Sequence, residues 1–584
     1  MSIFNHVKTR AGQVQLLGQA ALGLTQSGLL KPLTPYQSWL IARQAIQMGR
    51  SIATLAMVAA VRFPETPAVI DERGSISYHD LDLRVARIAA AMATQYQIGA
   101  GDTVALMCRN HRGFVEAFLA VMRLGAHVVL LNTDFPGPQL EQVLARHSLK
   151  LLVHDQEFAS TVVGANYRGA AVLAWVDRPS ADQPSANGSS ANGSRANEPN
   201  TAQVRLDELA LHPARTLPRV KKAGDIILLT SGTTGVPKGA PRSPAPTAYI
   251  GSAVTVMAKI PFQSQQPIFI GPPLFHGFGL AFMATCLATG APMAIQRRFR
   301  PPEVLQFIRQ HHVKVLVGVP AMLQRLLDVP AAQQVDLSGL SAVLAAAAPL
   351  SGALATRWMD QHGDHLYNLY GSTETGFCAM ATPADLRAAS GTVGLPPLGT
   401  QLRIMDAAGE TLDAGQIGHI CIKSPMLFEG YIGGGHKTSM HGFMNTGDVG
   451  HLDEAGRLFV DGREDDMIVS GGENVYPQEI EELLATYLGI AEVAVVGVAD
   501  AEFGQRLKAF VVWRAGHGQD AVAAEAALRE FIRAHVARYK MPREFVFLSE
   551  LPRNITGKVL KKVLQAQASA PETVIPFPAK LKEV

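Results

Sequence analysis

Short, wholly apolar runs alternate with amphipathic stretches of helical period between about residues 65 and 175, and no other feature of this chain restricts its fold as much. Ala68-Val69-Ile70, Thr103-Val104-Ala105-Leu106 and His127-Val128-Val129-Leu130-Leu131 read as buried strands, Leu81 to Met92 and Phe114 to Leu124 as helices. Such alternation predicts an α/β fold with a mainly parallel sheet. The pattern resumes at Ile226-Ile227-Leu228-Leu229 and runs to about residue 460. A chain of 584 residues is too long for one simple core, so more than one domain is expected. Gly462-Arg463-Glu464-Asp465-Asp466 forms a charged break. Beyond it Pro477 opens a helix through Leu484 with Glu479, Glu481 and Glu482 near its start, as helix-start physics favours. Val493 to Val498 and Glu544 to Leu548 read as strands, Ala521 to Val536 as a helix. The division is a large domain of mixed, mainly parallel sheets over 51–463 and a small α+β domain over 464–584.

Residues 1–50 read as a helical extension. Leu16, Leu17, Ala20, Ala21 and Leu24 recur at helical spacing, and Pro32 and Pro35 break the pattern. Its plainer role is to pack on the main body. Lys8, Arg10, Trp39 and Arg43 also give it basic, interfacial character, the basis for expecting a weak peripheral membrane contact. The apolar run Ile52 to Val61 falls far short of the ~20 residues of a spanning helix. No signal-peptide pattern opens the chain, so a cytoplasmic protein is expected. Cys108, Cys286, Cys378 and Cys421 form no CxxC pair, which argues against a disulfide framework or zinc site. Net charge is +3, which gives no prior for nucleic acid. Residues 179–200, rich in Ser, Ala, Asn and Gly, read as a disordered surface loop. The oligomeric state is left open.

Five segments carry chemistry. In Leu229-Thr230-Ser231-Gly232-Thr233-Thr234-Gly235-Val236-Pro237-Lys238-Gly239 a buried strand runs into hydroxyls, glycines and one lysine. Glycines let backbone N–H groups approach an anion, hydroxyls donate hydrogen bonds and lysine adds charge, which suits a nucleotide polyphosphate. It is not a Walker A loop, which disfavours a P-loop kinase or ATPase. Asn368-Leu369-Tyr370-Gly371-Ser372-Thr373-Glu374 offers a base-edge reader, a stacking ring, a hydroxyl for a phosphate oxygen and a carboxylate for Mg²⁺. Thr446-Gly447-Asp448 places a carboxylate behind a tight turn, where it can accept ribose hydroxyls. Asp461 to Ile468, followed by Ser470-Gly471-Gly472-Glu473-Asn474, is a solvated charge run if taken alone. Pro552-Arg553-Asn554-Ile555-Thr556-Gly557-Lys558 is, alone, a surface lysine on a glycine turn.

Together and in this order, the five segments resemble the adenylate-forming superfamily of acyl-CoA synthetases, luciferases and peptide-synthetase adenylation domains, over roughly residues 60–565. The resemblance implies a phosphate loop at Thr230, Ser231, Gly232, Thr233, Thr234, Gly235 and Lys238. It implies an adenine pocket from Ala347, Ala348, Pro349, Asn368 and Tyr370, with Gly371 and Ser372 also among the ATP-binding residues. Thr373 falls on the α-phosphate threonine, Glu374 on the Mg²⁺ ligand, Asp448 on the ribose aspartate and Arg463 on the nucleotide arginine. Asp465 falls on the hinge of a mobile small domain, and Lys558 on the lysine that contacts the acyl carboxylate and α-phosphate. Pro273 to Gly277 borders the acyl site, where His276 gates access or is a core histidine. Gly277, Gly318, Gly471, Gly472 and Glu473 fall along the acyl and thiol channel. Two positions depart from the pattern. Asn445 stands for a common arginine, and Ala345-Ala346 for the more usual Ser-Gly; neither removes a group the mechanism needs.

The implied reaction joins a carboxylate to AMP from Mg·ATP and then transfers the acyl group to coenzyme A. Relatives that load carrier proteins typically carry an insertion late in the large domain, and the run from Thr375 to Gly447 looks uninterrupted, which favours coenzyme A. The chain ends soon after Lys558, so no fused carrier domain is expected. The acyl lining, His276 to Met283, Gly318 to Leu323 and Phe377-Cys378, is apolar, so a medium- to long-chain fatty acid is expected, with aryl acids still open. A nucleotide-binding protein without turnover on this fold is the reading from another class; intact Glu374 and Lys558 speak against it.

Overall fold

The computed structural model describes residues 32–49, 51–177, 204–230, 238–242, 246–330, 335–428, 430, 437–470, 473–500, 504–514, 516–518, 520–554 and 557–568, with a few single positions between 18 and 25. Residues 179–200, expected as a loop, lie outside these, as does most of the helical pattern before residue 25.

The buried apolar runs pair as their composition requires. One sheet has six strands in the order Ala170–Trp175, Leu149–Asp155, Thr103–Met107, His127–Leu130, Ile226–Thr230 and Lys238–Arg242. All its pairings are parallel except the last. A second has eight, in the order Gly376–Ala381, Leu366–Ser372, Ala342–Ala345, Val315–Gly318, Ile268–Ile270, Met293–Ala294, Pro67–Asp71 and Gly74–Ser77. It is parallel apart from its two edge hairpins. The helices Tyr78–Gln95, Arg112–Arg123 and Gly277–Thr289 share one large core with strands of both sheets. Gly113 to Met122 are buried on every side of their helix, including Glu116, whose carboxylate is held at 2.6 Å by Arg84. A charge so deep is tolerable only when paired.

Two smaller sheets follow. Gln401–Met405, Gly418–Lys423, Ser439–Met440, Phe443–Leu452 and Leu458–Arg463 form an antiparallel sheet. Ile468–Ser470, Glu473–Val475, Ile490–Asp500, Gly504–Trp513 and Glu544–Leu548 form a mixed sheet, in which only the Gly504–Trp513 and Glu544–Leu548 pair is parallel, covered by the helices Pro477–Ala485 and Ala521–His535 around a separate core. The architecture is the mixed α/β fold expected, a large N-terminal part with mainly parallel sheets and a small C-terminal α+β part. The charged break is narrower than the sequence suggests. Asp461 to Arg463 still belong to a strand, and one 3₁₀ turn, Glu464–Asp466, carries the chain from one sheet to the next.

Pro35 does not break a helix; it opens one. The helix Pro35–Met48 has Thr34 as its cap, receiving the Gln37 N–H at 3.2 Å, and proline at the first position loses no hydrogen bond. The run Ile52 to Val61 is a short helix, Ile52–Arg62, whose Met57 is buried and whose Ala53, Ala56 and Ala59 are buried in the main core. Among the described residues no helix is long and apolar enough to cross a membrane.

Candidate active site

Four neighbouring parallel strands of the eight-stranded sheet, Ile268–Ile270, Val315–Gly318, Ala342–Ala345 and Leu366–Ser372, end along one edge. Their carboxyl ends therefore deliver Gly271 to His276, Gly318-Val319, Ala346 to Pro349 and Tyr370 to Glu374 side by side. Crevices at such ends are where open α/β sheets take ligands. After Ala345 the backbone turns through Ala347 at φ 69°. The left-handed region costs a residue with a side chain about 1–2 kcal/mol, a strain of the kind that collects at functional turns.

The hairpin after Tyr370 fixes the next two groups. Gly371 is obligatory, since a Cβ there would lie 2.0 Å from the Gly376 carbonyl oxygen. The Ser372 N–H donates to Thr375 Oγ1 at 3.1 Å, and Ser372 Oγ receives the N–H groups of Glu374 and Thr375 at 3.2 Å each. The Glu374 carbonyl accepts from the Phe428 N–H at 2.9 Å. Thr373 and Glu374 are thus held at the tip of a braced turn. Asn368 is differently placed. It is 2% exposed and its amide nitrogen donates to the Thr392 carbonyl at 3.1 Å, so it braces that loop from inside.

The antiparallel sheet supplies the second wall. Thr446-Gly447-Asp448 is not a tight turn; it lies within the strand Phe443–Leu452, where Gly447 takes φ 81°. Asp448 and Arg463 are cross-strand partners, with Arg463 Nε 3.9 Å from Asp448 and 2.9 Å from Asp465 Oδ1. The Tyr370 hydroxyl donates to Asp448 Oδ2 at 2.5 Å. Burial pushes the Asp448 carboxyl above its ordinary range, opposed by that hydrogen bond and by the charges of Arg463, Lys437 and Lys558. Burial, reinforced by Asp448, keeps the Tyr370 hydroxyl protonated far above its usual range. Asn445 does not replace arginine chemically: its Oδ1 receives the Gly447 N–H at 2.8 Å and shapes the strand.

The small domain reaches into this cleft with one loop. Gly557 N–H donates to the Asn554 carbonyl and Lys558 N–H to Asn554 Oδ1, each at 2.9 Å. The Lys558 ammonium faces the fields of Asp448, Glu374, Arg463 and His276. Lys558 is exposed as a residue, yet enough protein stands near its ammonium to lower its pKa. Desolvation is the larger cause and Arg463 the next, with Asp448 and Glu374 opposing. A cavity of about 770 Å³ lies beside it, between Asn110, Phe275 and Met322 of the large domain and Arg553 and Asn554 of the small one. His276 stands at the start of the helix Gly277–Thr289, its Nε2 buried and without a hydrogen-bond partner among the described residues. Burial, then the Lys558 charge, lowers its pKa to about 4, so the imidazole is neutral near pH 7.

The structure therefore brings together Lys558, Glu374, Asp448, Arg463, Tyr370 and His276. Of the phosphate loop, Thr230 and Lys238 pair across two strand ends, and Ser231, Gly232, Thr233, Thr234 and Gly235 lie outside the described residues, as do Gly471 and Gly472. Glu473 is placed by its backbone pairing with Ser470. Sequence reasoning missed Lys437, whose Nζ donates to the Thr446 carbonyl at 2.8 Å and whose charge acts on Asp448. A lone lysine just after Gly433-Gly434-Gly435 was the only signal. The carboxylate of Glu374 fits Mg²⁺, which takes oxygen ligands and commonly one or two carboxylates together with phosphate oxygens.

His362, far from this cleft at the end of the helix Gly352–His362, is also held at about 4, chiefly by burial. A histidine whose folded pKa lies below its unfolded value resists the proton that the unfolded chain accepts. Stability is therefore expected to fall as pH drops from about 6.5 toward 4. Thermal melts across this range should show the fall, and His362→Gln should flatten it by on the order of 1–2 °C. Melts of parent and variant that stay parallel at every pH would remove His362 as a cause.

Residues 57–432 match the AMP-binding enzyme family, and residues 479–558 match the AMP-binding enzyme C-terminal domain. A feruloyl-CoA synthase from an Amycolatopsis species is 31% identical over 505 residues, 85% of this chain and 95% of the relative. A long-chain-fatty-acid–CoA ligase from Salmonella typhimurium is 28% identical over 538 residues, 89% of this chain and 95% of the relative. The structure of ATP-bound MatB from Rhodopseudomonas palustris superposes with a TM-score of 0.73 at 27% identity, covering 88% of this chain and 98% of that one. On the strength of these matches over both its parts, the chain belongs to the AMP-binding enzyme family.

Proposed function

We propose that the chain joins a hydrophobic monocarboxylic acid to AMP from ATP and passes the acyl group to coenzyme A. The observation that carries this reading is the seating of the Gly557-Lys558 loop on Val319 of the large domain, which brings Lys558 within electrostatic reach of Glu374 and Asp448. A carboxylate is a poor electrophile, since its charge repels nucleophiles and oxide is a bad leaving group. Attack of a carboxylate oxygen on the α-phosphorus makes a P–O bond and breaks the bond to pyrophosphate. Attack of the thiol sulfur on the acyl carbon then makes the thioester, expels AMP and releases the thiol proton.

In this reading Asp448 accepts the ribose hydroxyls and Tyr370, bonded to it, fixes its rotamer. Lys558 holds the acyl carboxylate against the α-phosphate, Thr373 bonds a phosphate oxygen, and Arg463 adds charge beside the nucleotide. Mg²⁺, when bound with ATP, supplies positive charge to the polyphosphate, with Glu374 as its protein ligand. Neutral His276 leaves room for uncharged acyl or thiol groups. Asp465, on the single 3₁₀ turn between two sheets, is the pivot about which the small domain withdraws Lys558 and presents Gly471 to Glu473.

The apolar lining around His276 to Met283 supports a medium- to long-chain fatty acid. The feruloyl-CoA synthase relative favours a second reading, an aromatic acid, at similar identity. Purified protein given ATP, Mg²⁺, coenzyme A and a panel of fatty and aromatic acids should release pyrophosphate and form thioester with one class. Pyrophosphate release without any thioester would assign the acceptor to a carrier protein. No release with any acid would overturn the catalytic reading.

A further inference from the structure

The helix Pro35–Met48 packs one side on the helix Ile52–Arg62 and on residues 217–220. Gln37 Nε2 donates to the Val61 carbonyl, Gln47 Nε2 to the Leu217 carbonyl, and Val220 N–H to the Gln47 carbonyl. Its other side is built from the wrong residues for contact with water alone. Tyr36, Trp39, Arg43 and Ile46 share one face by their spacing, and Tyr36, Trp39 and Ile46 are 68%, 54% and 59% exposed. The two rings stack at 6.1 Å, and the Arg43 guanidinium lies 5.3 Å from the Trp39 ring centre. Scattered exposed apolar residues are ordinary, but a lined-up aromatic pair, an isoleucine and an arginine on one helical face make an interfacial stripe.

The charge along the sequence that carries the stripe has one sign. Among the described residues from 32 to 64 there are two arginines, Arg43 and Arg62, and no acidic residue. The segment beside the helix, 209–224, contributes Arg215, Arg219, Lys221 and Lys222, all exposed, and again no acid. Arg219 Nε donates to the Ile46 carbonyl, which ties this basic segment to the end of the stripe. The acids that bound these two stretches are Glu65, Glu208 and Asp225, of which Asp225 lies 3.2 Å from His127; Asp207, next to Glu208, is paired with Arg73 and Arg84. A chain whose overall charge is only +3 has thus set a short basic, acid-free stretch, 209–224, against the helix that carries its exposed aromatic stripe.

We infer that this face docks on a lipid surface bearing anionic headgroups. The tryptophan and tyrosine rings suit the headgroup level, Ile46 enters the acyl boundary, and Arg43 with the 215–222 cations meets the lipid charge. Nucleic acid would use the cations and leave Ile46 exposed, and a second copy of the same basic surface would repel its mate. The inference is independent of which acid is activated, because none of these residues lines the catalytic cleft.

The test is flotation of the full chain with vesicles of phosphatidylcholine alone or with about 30% phosphatidylglycerol. Binding is expected to the anionic vesicles only, to weaken as salt is raised, and to fall about tenfold or more in Trp39→Ala/Ile46→Ser. Lys221→Gln/Lys222→Gln should weaken it severalfold. Both variants change exposed residues, and unchanged melting and unchanged thioester formation from a dispersed acid establish that each is folded. Absent binding, equal binding to neutral vesicles, or full binding by the Trp39→Ala/Ile46→Ser variant would each overturn the inference. So would self-association in lipid-free buffer that the same variant abolishes, or capture of a DNA duplex more tightly than anionic vesicles.

Discussion

Lys558→Ala is expected to lower acyl-adenylate formation by roughly 10²-fold or more, while supplied acyl-adenylate and coenzyme A still give thioester at near the parent rate. The contrast follows from where the charge sits. Lys558 stands at the mouth of a cleft with Asp448, Glu374 and Arg463 nearby, and partial desolvation is the first cause of its lowered pKa. A fixed charge in such surroundings acts strongly on any charge that develops beside it, and the first step brings a carboxylate anion against a phosphate. The second step has a thiol approaching a neutral ester-like carbonyl, with no need of that cation. Single-turnover measurements from each end separate the two. Equal losses in both would make Lys558 a general electrostatic support and remove the step-specific role argued for it. Loss of neither would remove it from the site.

How much of this was legible in the sequence differs from element to element. Buried strands announce themselves because both faces are apolar: Ala68-Val69-Ile70 sits inside Pro67–Asp71. Glu544 to Leu548 is the observed strand residue for residue, although only Phe545 of it is buried. The antiparallel sheet before Arg463 was opaque. Its strands mix polar and apolar residues, and Gly447 reads as a turn when its neighbours on both sides hold it in a strand. Pro35 was misread because position, not residue type, decides what proline does at a helix start. The chemistry-bearing residues were legible where their local pattern is distinctive, as for Tyr370 to Glu374. Lys437 was not, since an isolated lysine beside a glycine run has no period and no partner in sequence. Nor was the environment of Asn368, whose amide is spent on Thr392, a contact made by folding alone.

Contacts between the two domains are the least legible of all, and one of them yields a second large effect. Gly557 adopts φ 80°, and a Cβ built on it would lie 2.8 Å from Val319 Cγ2 and 3.6 Å from Ala321 Cβ. Val319 is buried at the cap of the helix Pro320–Leu327, at the carboxyl end of a strand that borders the cleft. Gly557 thus seats the lysine loop directly on the large domain. Gly557→Ala carries two costs. The left-handed backbone penalises alanine by about 1–2 kcal/mol wherever the small domain stands. The clash with Val319 arises only while Lys558 is in the cleft. Adenylation is therefore expected to fall about tenfold or more, and thioester formation from supplied acyl-adenylate to fall distinctly less. Gly557→Ala/Val319→Ala removes the clashing methyl and leaves the backbone strain, so it should recover part of adenylation, with a coupling on the order of 1 kcal/mol between the two sites. Melting of each variant accounts for the cavity that Val319→Ala opens. If the double variant adenylates no faster than Gly557→Ala, and both half-reactions fall alike, the seat on Val319 does not set the position of Lys558, and backbone strain alone explains the glycine.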